Sequence, residues 1–186
     1  MNNEYNDREI IEMLISDDKN KSDFAFRDIY NKYSVQIYSY CNKILKDRMK
    51  ADDVFQETFI NFYQNVKQEK INNGSVIGYL IKIARNKCLN VKRDLKHNVN
   101  TEDYKWITAD EFNYYKQDKD KIIKSAIEKL EIKYKEPFIL RVYEGLEYIE
   151  IAEICEISEE NARKRVFRAK QKIKEFLNPF IDELSN

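Results

Sequence analysis

Glycine and proline are almost missing: three and two in 186 residues. With Ile, Leu, Lys and Glu recurring at helical spacing and no sustained strand alternation, that scarcity predicts an all-α protein. An excess of one charge is missing too. Lys+Arg and Asp+Glu number 33 each, which excludes a uniformly basic nucleic-acid coat and confines any electrostatic footprint to local patches. Histidine occurs once, at His97, and Cys41, Cys88 and Cys155 stand far apart, so neither a zinc site nor a disulfide framework is expected. Each cysteine falls near an apolar helical position and is expected as a buried thiol. There is no Gly-rich phosphate loop, HExxH or nucleophile elbow, so no catalytic site, metal or cofactor is expected. The start, MNNEYNDREIIEMLISDD, is charged, and no segment approaches a membrane span, which predicts a cytoplasmic chain without membrane insertion.

What is present falls into two blocks of helical periodicity, about 23–96 and 121–184. Between them, HNVNTEDYKWITADEFNYYKQDKD is polar and aperiodic and reads as a flexible linker over 98–120. Its aromatics, Tyr104, Trp106, Phe112, Tyr114 and Tyr115, are unusual for a tether. Docking on a partner or on a domain, a short helix, and a passive connection all stay open.

The second block ends in SEENARKRVFRAKQKIKEF (158–176), with seven basic side chains. Ahead of it, Pro137 suits the first turn of a helix and Gly145 the left-handed residue that ends one. A second helix is predicted over about Tyr148–Cys155 with Ile151, Ala152 and Ile154 inward, then a short turn at 156–158. Ser158 suits the cap of a third helix. On that helix Ala162, Val166, Ala169, Ile173 and Phe176 or Leu177 share one face, and Asn161, Lys164, Arg165, Arg168 and Lys172 fall opposite. Two short helices and a tight turn make a helix-turn-helix. A solvated surface helix would mix charge signs, but this face carries no acid beyond Glu160.

In the first block, ADDVFQETFINFYQNV (51–66) places Val54, Phe55, Phe59, Phe62 and Val66 at core spacing and Asp52, Asp53, Gln56 and Glu57 outside. GYLIKIARNKCLNVKRDLK (78–96) is its complement. Leu80, Ile83, Ala84, Cys88 and Val91 form the apolar stripe. Lys82, Arg85, Asn86, Lys92, Arg93 and Lys96 share an arc of about 120° opposite, with Lys87 snorkelling at the apolar edge. From Lys82 to Lys96 there are six basic residues and one acid, Asp94.

The order FAFRDIYNKYSVQIYSYC, ADDVFQETF, YLIKIARNKCLNVKRD and then the helix-turn-helix resembles the extracytoplasmic-function sigma factors of bacterial RNA polymerase. The resemblance spans nearly all of the chain outside the linker. It implies two small helical domains, 1–97 and 121–186, joined by 98–120. It assigns Asp52, Asp53, Gln56 and Glu57 to core polymerase, and Lys82, Arg85, Asn86, Lys92 and Arg93 to the −10 element. Asn72 and Asn73, in the loop QEKINNGSVI (68–77), resemble the segment that receives a flipped −10 base; a plain turn is the alternative. YIEIAEICEISEENARKRVFRAK matches the −35-reading unit, with Glu160, Asn161, Lys164, Arg165, Arg168 and Lys172 as its contacts. Tyr79 stands where the family usually has Trp, Asn90 where Asp is common, and Glu147 in place of a Ser or Thr cap. Glu159 and Glu160 replace small or apolar residues, so no −35 sequence preference carries over.

The expected function is that of a non-enzymatic specificity subunit whose partners are RNA polymerase core and promoter DNA. The resemblance also implies an anti-sigma partner, which no residue here identifies. Residues 1–60 carry nine basic and twelve acidic side chains, net −3, on the side assigned to polymerase. The main rival is a helix-turn-helix regulator that never joins polymerase; it would not need the paired helices of the first block. A sigma-like adaptor that binds only proteins would not need two basic faces.

Overall fold

The structure, a computed structural model, describes residues 5–68, 75–98 and 119–180. The expected −10 loop residues Asn72 and Asn73, and the five aromatics of the expected linker, lie outside the described residues. The chain divides into two compact units, Met1–Lys96 and His97–Asn186, and every regular element described is helical.

The first unit holds α1 (Asp7–Ile15), α2 (Lys19–Leu45), α3 (Arg48–Lys67) and α4 (Val76–Asn98). In α2, Ala25, Ile29, Tyr33, Ile37, Cys41 and Ile44 recur every three or four residues and are buried, so a single stripe seats this long helix. Its start is capped by the Asp18 carboxylate, which accepts from the N–H groups of Asn20 and Lys21. The expected α3 stripe is buried at Val54, Phe59, Phe62 and Val66, and Thr58 joins it by donating to the Val54 carbonyl at 2.6 Å. Phe55 lies at the edge, where it meets Tyr30 and Tyr38 edge-on at 6.0 and 5.6 Å between ring centres. On α4, Leu80, Ile81, Ala84 and Cys88 are buried, and Ile83 and Val91 half-buried.

Helix α1 lies ahead of the first expected block and went unread. Its signal was short but present. The Asn6 side chain accepts from the N–H groups of Arg8 and Glu9, and the Glu9 carboxylate accepts the Asn6 N–H, a capping box. Ile10 and Leu14 are its buried pair.

The second unit holds α5 (Lys119–Glu128), α6 (Ile132–Val142), α7 (Tyr148–Cys155), α8 (Glu159–Leu177) and a 3-10 turn (Asn178–Phe180). Pro137 corrects the expectation that it opens a helix. It lies inside α6, five residues after the helix begins. A proline there lacks the N–H that would complete the turn and crowds the carbonyl four residues back, costing about 3 kcal/mol. Packing overrides this: the extra turn carries Tyr134 against the cluster of Ile127, Leu130, Phe138 and Ala169, while Ile139 and Leu140 are fully buried. Elsewhere local signals held. Gly145 has φ +71° and ends the turn after α6, and Ser158 Oγ accepts from the Asn161 N–H at 3.2 Å to start α8. All three cysteines are buried free thiols.

Candidate nucleic-acid interface

The helix-turn-helix consists of α7, the turn 156–158 and α8. Ile151, Ala152 and Ile154 of α7 are buried, as are Ala162, Val166 and Ala169 of α8. Ala152 and Ala162 are small enough to leave room for a close crossing of α7 and α8, while Ala169 packs with Ile127, Leu130 and Phe138. The turn is unusual in using Glu156 at φ 56°, a left-handed conformation that costs a non-glycine residue about 1 kcal/mol or more.

Of the expected α8 contacts, Glu160, Asn161, Lys164, Arg168 and Lys172 are exposed. Arg165 is only half-exposed, because it directly precedes buried Val166 and flanks the apolar stripe. Glu160 and Lys164 form an ion pair at 2.6 Å, so the one acid on this face is matched within the helix. The Lys164 hydrogen bond, followed by its charge, holds the Glu160 carboxyl below the usual carboxylate range. Lys172 leans towards α6, with its ammonium 5.6 Å from the Tyr134 ring centre.

Two residues beside this face escaped the sequence reading. Phe167 projects from the middle of α8 with 62% of its surface exposed. An aromatic ring at that spot offers apolar contact to a thymine methyl in a major groove. Its signal was its absence from the buried stripe. Arg163 pairs with Glu159 at 2.5 Å and lies 4.5 Å from the Tyr148 ring centre. Arg141 reaches the same ring at 4.8 Å, donates to the Leu146 carbonyl at 2.8 Å and pairs with Glu147 at 3.0 Å. Two guanidiniums on one ring thus tie α6, α7 and α8 together at the end where the recognition helix begins.

In the first unit, Lys82, Asn86 and Arg93 of the expected arc are exposed on α4, Arg85 and Lys92 are half-exposed, and the Lys96 side chain lies outside the described residues. Arg93 donates to Asn90 Oδ1 at 3.0 Å, which steadies it on the face. On α3, Asp53, Gln56 and Glu57 are exposed and Asp52 is half-buried. The structure adds a connection between these faces. Lys87 buries most of its stem and its ammonium ends on Glu57 Oε2 at 2.5 Å, so the basic helix is not without a counter-charge. The Glu57 side chain keeps 59% of its surface exposed, leaving one flank open to a partner.

Two family models match the chain: Sigma-70 region 2 over residues 29–98, and Sigma-70, region 4 over residues 120–173. The chain is 26% identical over 160 residues to the ECF RNA polymerase sigma factor SigM of Bacillus subtilis (strain 168), covering 84% of this chain and 97% of that one. It is 29% identical over 167 residues to SigW of the same organism, covering 82% and 89%. Two solved structures share the fold. The sigma factor RpoE in complex with the anti-sigma factor NepR from Bartonella quintana gives a TM-score of 0.65 at 19% identity, covering 82% of this chain and 96% of that one. CnrH in complex with the cytosolic domain of CnrY gives 0.68 at 20% identity, covering 93% and 97%.

Proposed function

Because the chain belongs to the sigma-70 family, in its extracytoplasmic-function branch, we propose that it divides promoter recognition among three faces. It is a non-enzymatic subunit that directs RNA polymerase core to promoters. The acidic face of α3 (Asp52, Asp53, Gln56, Glu57) docks on core. The basic face of α4 (Lys82, Arg85, Asn86, Lys92, Arg93), with Asn72 and Asn73 ahead of it, takes the −10 element. The outer face of α8 takes the −35 element, with Arg165, Arg168 and Lys172 on phosphates and Glu160, Asn161 and Lys164 at base edges. Residues 1–97 and 121–186 are the working domains, and the connection 98–120 raises the effective concentration of the second once the first is bound. The site of action is the cytoplasm, where polymerase and promoter are; among the described residues no helix is long and apolar enough to cross a membrane. An anti-sigma factor is a further proposed partner, since the similar sigma factor RpoE is in complex with the anti-sigma factor NepR in its structure.

The observation that carries this reading is the pairing of an exposed acidic α3 with an exposed basic α4 in one unit, ahead of a basic helix-turn-helix. A regulator acting without polymerase has no use for the first pair. Reversing Asp52, Asp53 and Glu57 to Lys should weaken association with core by a few kcal/mol, the usual size for losing complementary interfacial charges. Co-elution with core and run-off transcription by the resulting complex are the measurements. A triple variant that folds normally and binds core like the parent would remove α3 from the docking surface.

A further inference from the structure

Helix α1 has no part in the three faces, yet it is tied to the start of α4 and to the end of α3. Its first residue, Asp7, accepts the Val76 N–H on Oδ2 at 2.7 Å, a contact 69 residues away in sequence. Val76 is the first residue of α4, so Asp7 takes one of the N–H groups that a helix start leaves without an internal partner. Ser75 Oγ takes another, from Gly78, at 3.1 Å. The carboxylate also sits where the partial positive charge of the α4 terminus favours an anion. Tyr33 of α2 approaches the other oxygen, Oδ1, at 3.5 Å. At the far end of α1, the Ser16 carbonyl accepts from the Lys67 ammonium at 3.2 Å, and Lys67 is the last residue of α3. Buried Ile10 and Leu14 hold α1 in place, and Ser22 Oγ donates to the Leu14 carbonyl at 2.8 Å.

We propose that α1 is a positioning element for −10 recognition: through Asp7 on Val76, and secondarily Ser16 on Lys67, it sets where α4 begins relative to the end of α3. The inference rests on the reading of α4 as the promoter-facing helix. The Asp7 tie is the stronger one, being a charge-assisted hydrogen bond to a half-buried backbone group. The Lys67 tie is exposed and solvent-screened, and contributes less. Losing the acceptor at Asp7 lets the first turn of α4 fray, and the residues that follow on its basic face then meet the promoter from a wider range of directions.

The test compares Asp7→Ala with Asp7→Asn, whose amide oxygen still accepts the Val76 N–H, in the full chain bound to core polymerase. Open-complex formation is measured per bound molecule on a duplex promoter and on one with a premade bubble. Asp7→Ala should lower the duplex signal about fivefold, the usual size for losing one helix cap. The loss on the bubble template should be smaller, since its opening cost is already met. Asp7→Asn should stay within about twofold of the parent on both. Ile44→Val, in the buried last turn of α2, serves as the control for plain destabilisation. It should lower the melting temperature while leaving the duplex-to-bubble ratio at the parental value. A parental ratio for Asp7→Ala, an equal loss for Asp7→Asn, or the same fall for Ile44→Val would each overturn the proposal. Asn86→Ala, measured alongside, separates this failure from the other: if it is silent on both templates, the promoter-facing reading of α4 is what falls.

Discussion

The ion pair between Glu57 and Lys87 joins the face assigned to polymerase to the helix assigned to the promoter, and cutting it from either side separates stability from docking. The pair is short, at 2.5 Å, but Glu57 is 59% exposed and Lys87 21%. Solvent screens such a contact, so its contribution to folding is held to about 0.5 kcal/mol, within the range of exposed pairs. For a unit of this size that is roughly 2–4 °C of melting temperature. Glu57→Gln and Lys87→Met should therefore lower thermal stability by similarly small amounts, and the double variant by little more than either alone. Docking should behave differently. Glu57→Gln removes an interfacial charge and should cost roughly 2 kcal/mol of core affinity, about thirtyfold. Lys87→Met keeps the apolar stem and releases the Glu57 carboxylate, so core affinity should hold or rise. Circular-dichroism melting and fluorescence anisotropy against labelled core measure the two quantities. Core affinity falling equally in both variants would refute the argument, as would a loss of more than about 8 °C from either alone, because the pair would then be structural rather than shared.

Glu156→Gly should raise the melting temperature of the second unit by about 2–4 °C, since relief of the left-handed backbone at φ 56° exceeds the added freedom of the unfolded chain; thermal melting with no gain would contradict this. Arg168→Ala should weaken binding to all −35 sequences alike and reduce the salt slope by about one, whereas exchanging Glu160 or Lys164 should change which sequences bind, as salt titrations on a −35 library would reveal. The Glu160 carboxyl is lowered, so its pairing with Lys164 is present above the ordinary carboxylate range and lost only as pH falls through its depressed value. The DNA preference set by that pair should accordingly be flat from pH 5 to pH 8, read in the same binding assay, a window chosen to lie above the usual Glu value of about 4.3. Burial, then the Asp7 charge, pushes the Tyr33 phenol up; the stability it contributes is complete below the ordinary tyrosine range and lost as pH rises through the raised value. Tyr33→Phe should blunt alkaline unfolding of the first unit, followed by hydrogen exchange of α2.

Most of what is local in this protein was legible in the sequence. The bounds of α7, the Ser158 cap, the left-handed Gly145 and the alternation of buried alanines with basic side chains on α8 all follow from interactions between residues three or four apart. The basic arc of α4 was legible for the same reason. Pro137 marks where that logic fails: a local rule placed it at a helix start, and burial of Tyr134 and Phe138 drew the helix one turn further back. The partnerships that connect faces were beyond any local rule. Lys87 lies 30 residues from Glu57, and Val76 lies 69 from Asp7. Charge and spacing placed Glu57 on the outer face of α3 and Lys87 at the apolar edge of α4, but that these two would meet, and that Asp7 would meet Val76, depended on how α1, α3 and α4 pack. Residues distant in the chain become neighbours only when the buried stripes beneath them fix the register of one helix against another, and that register belongs to the tertiary structure.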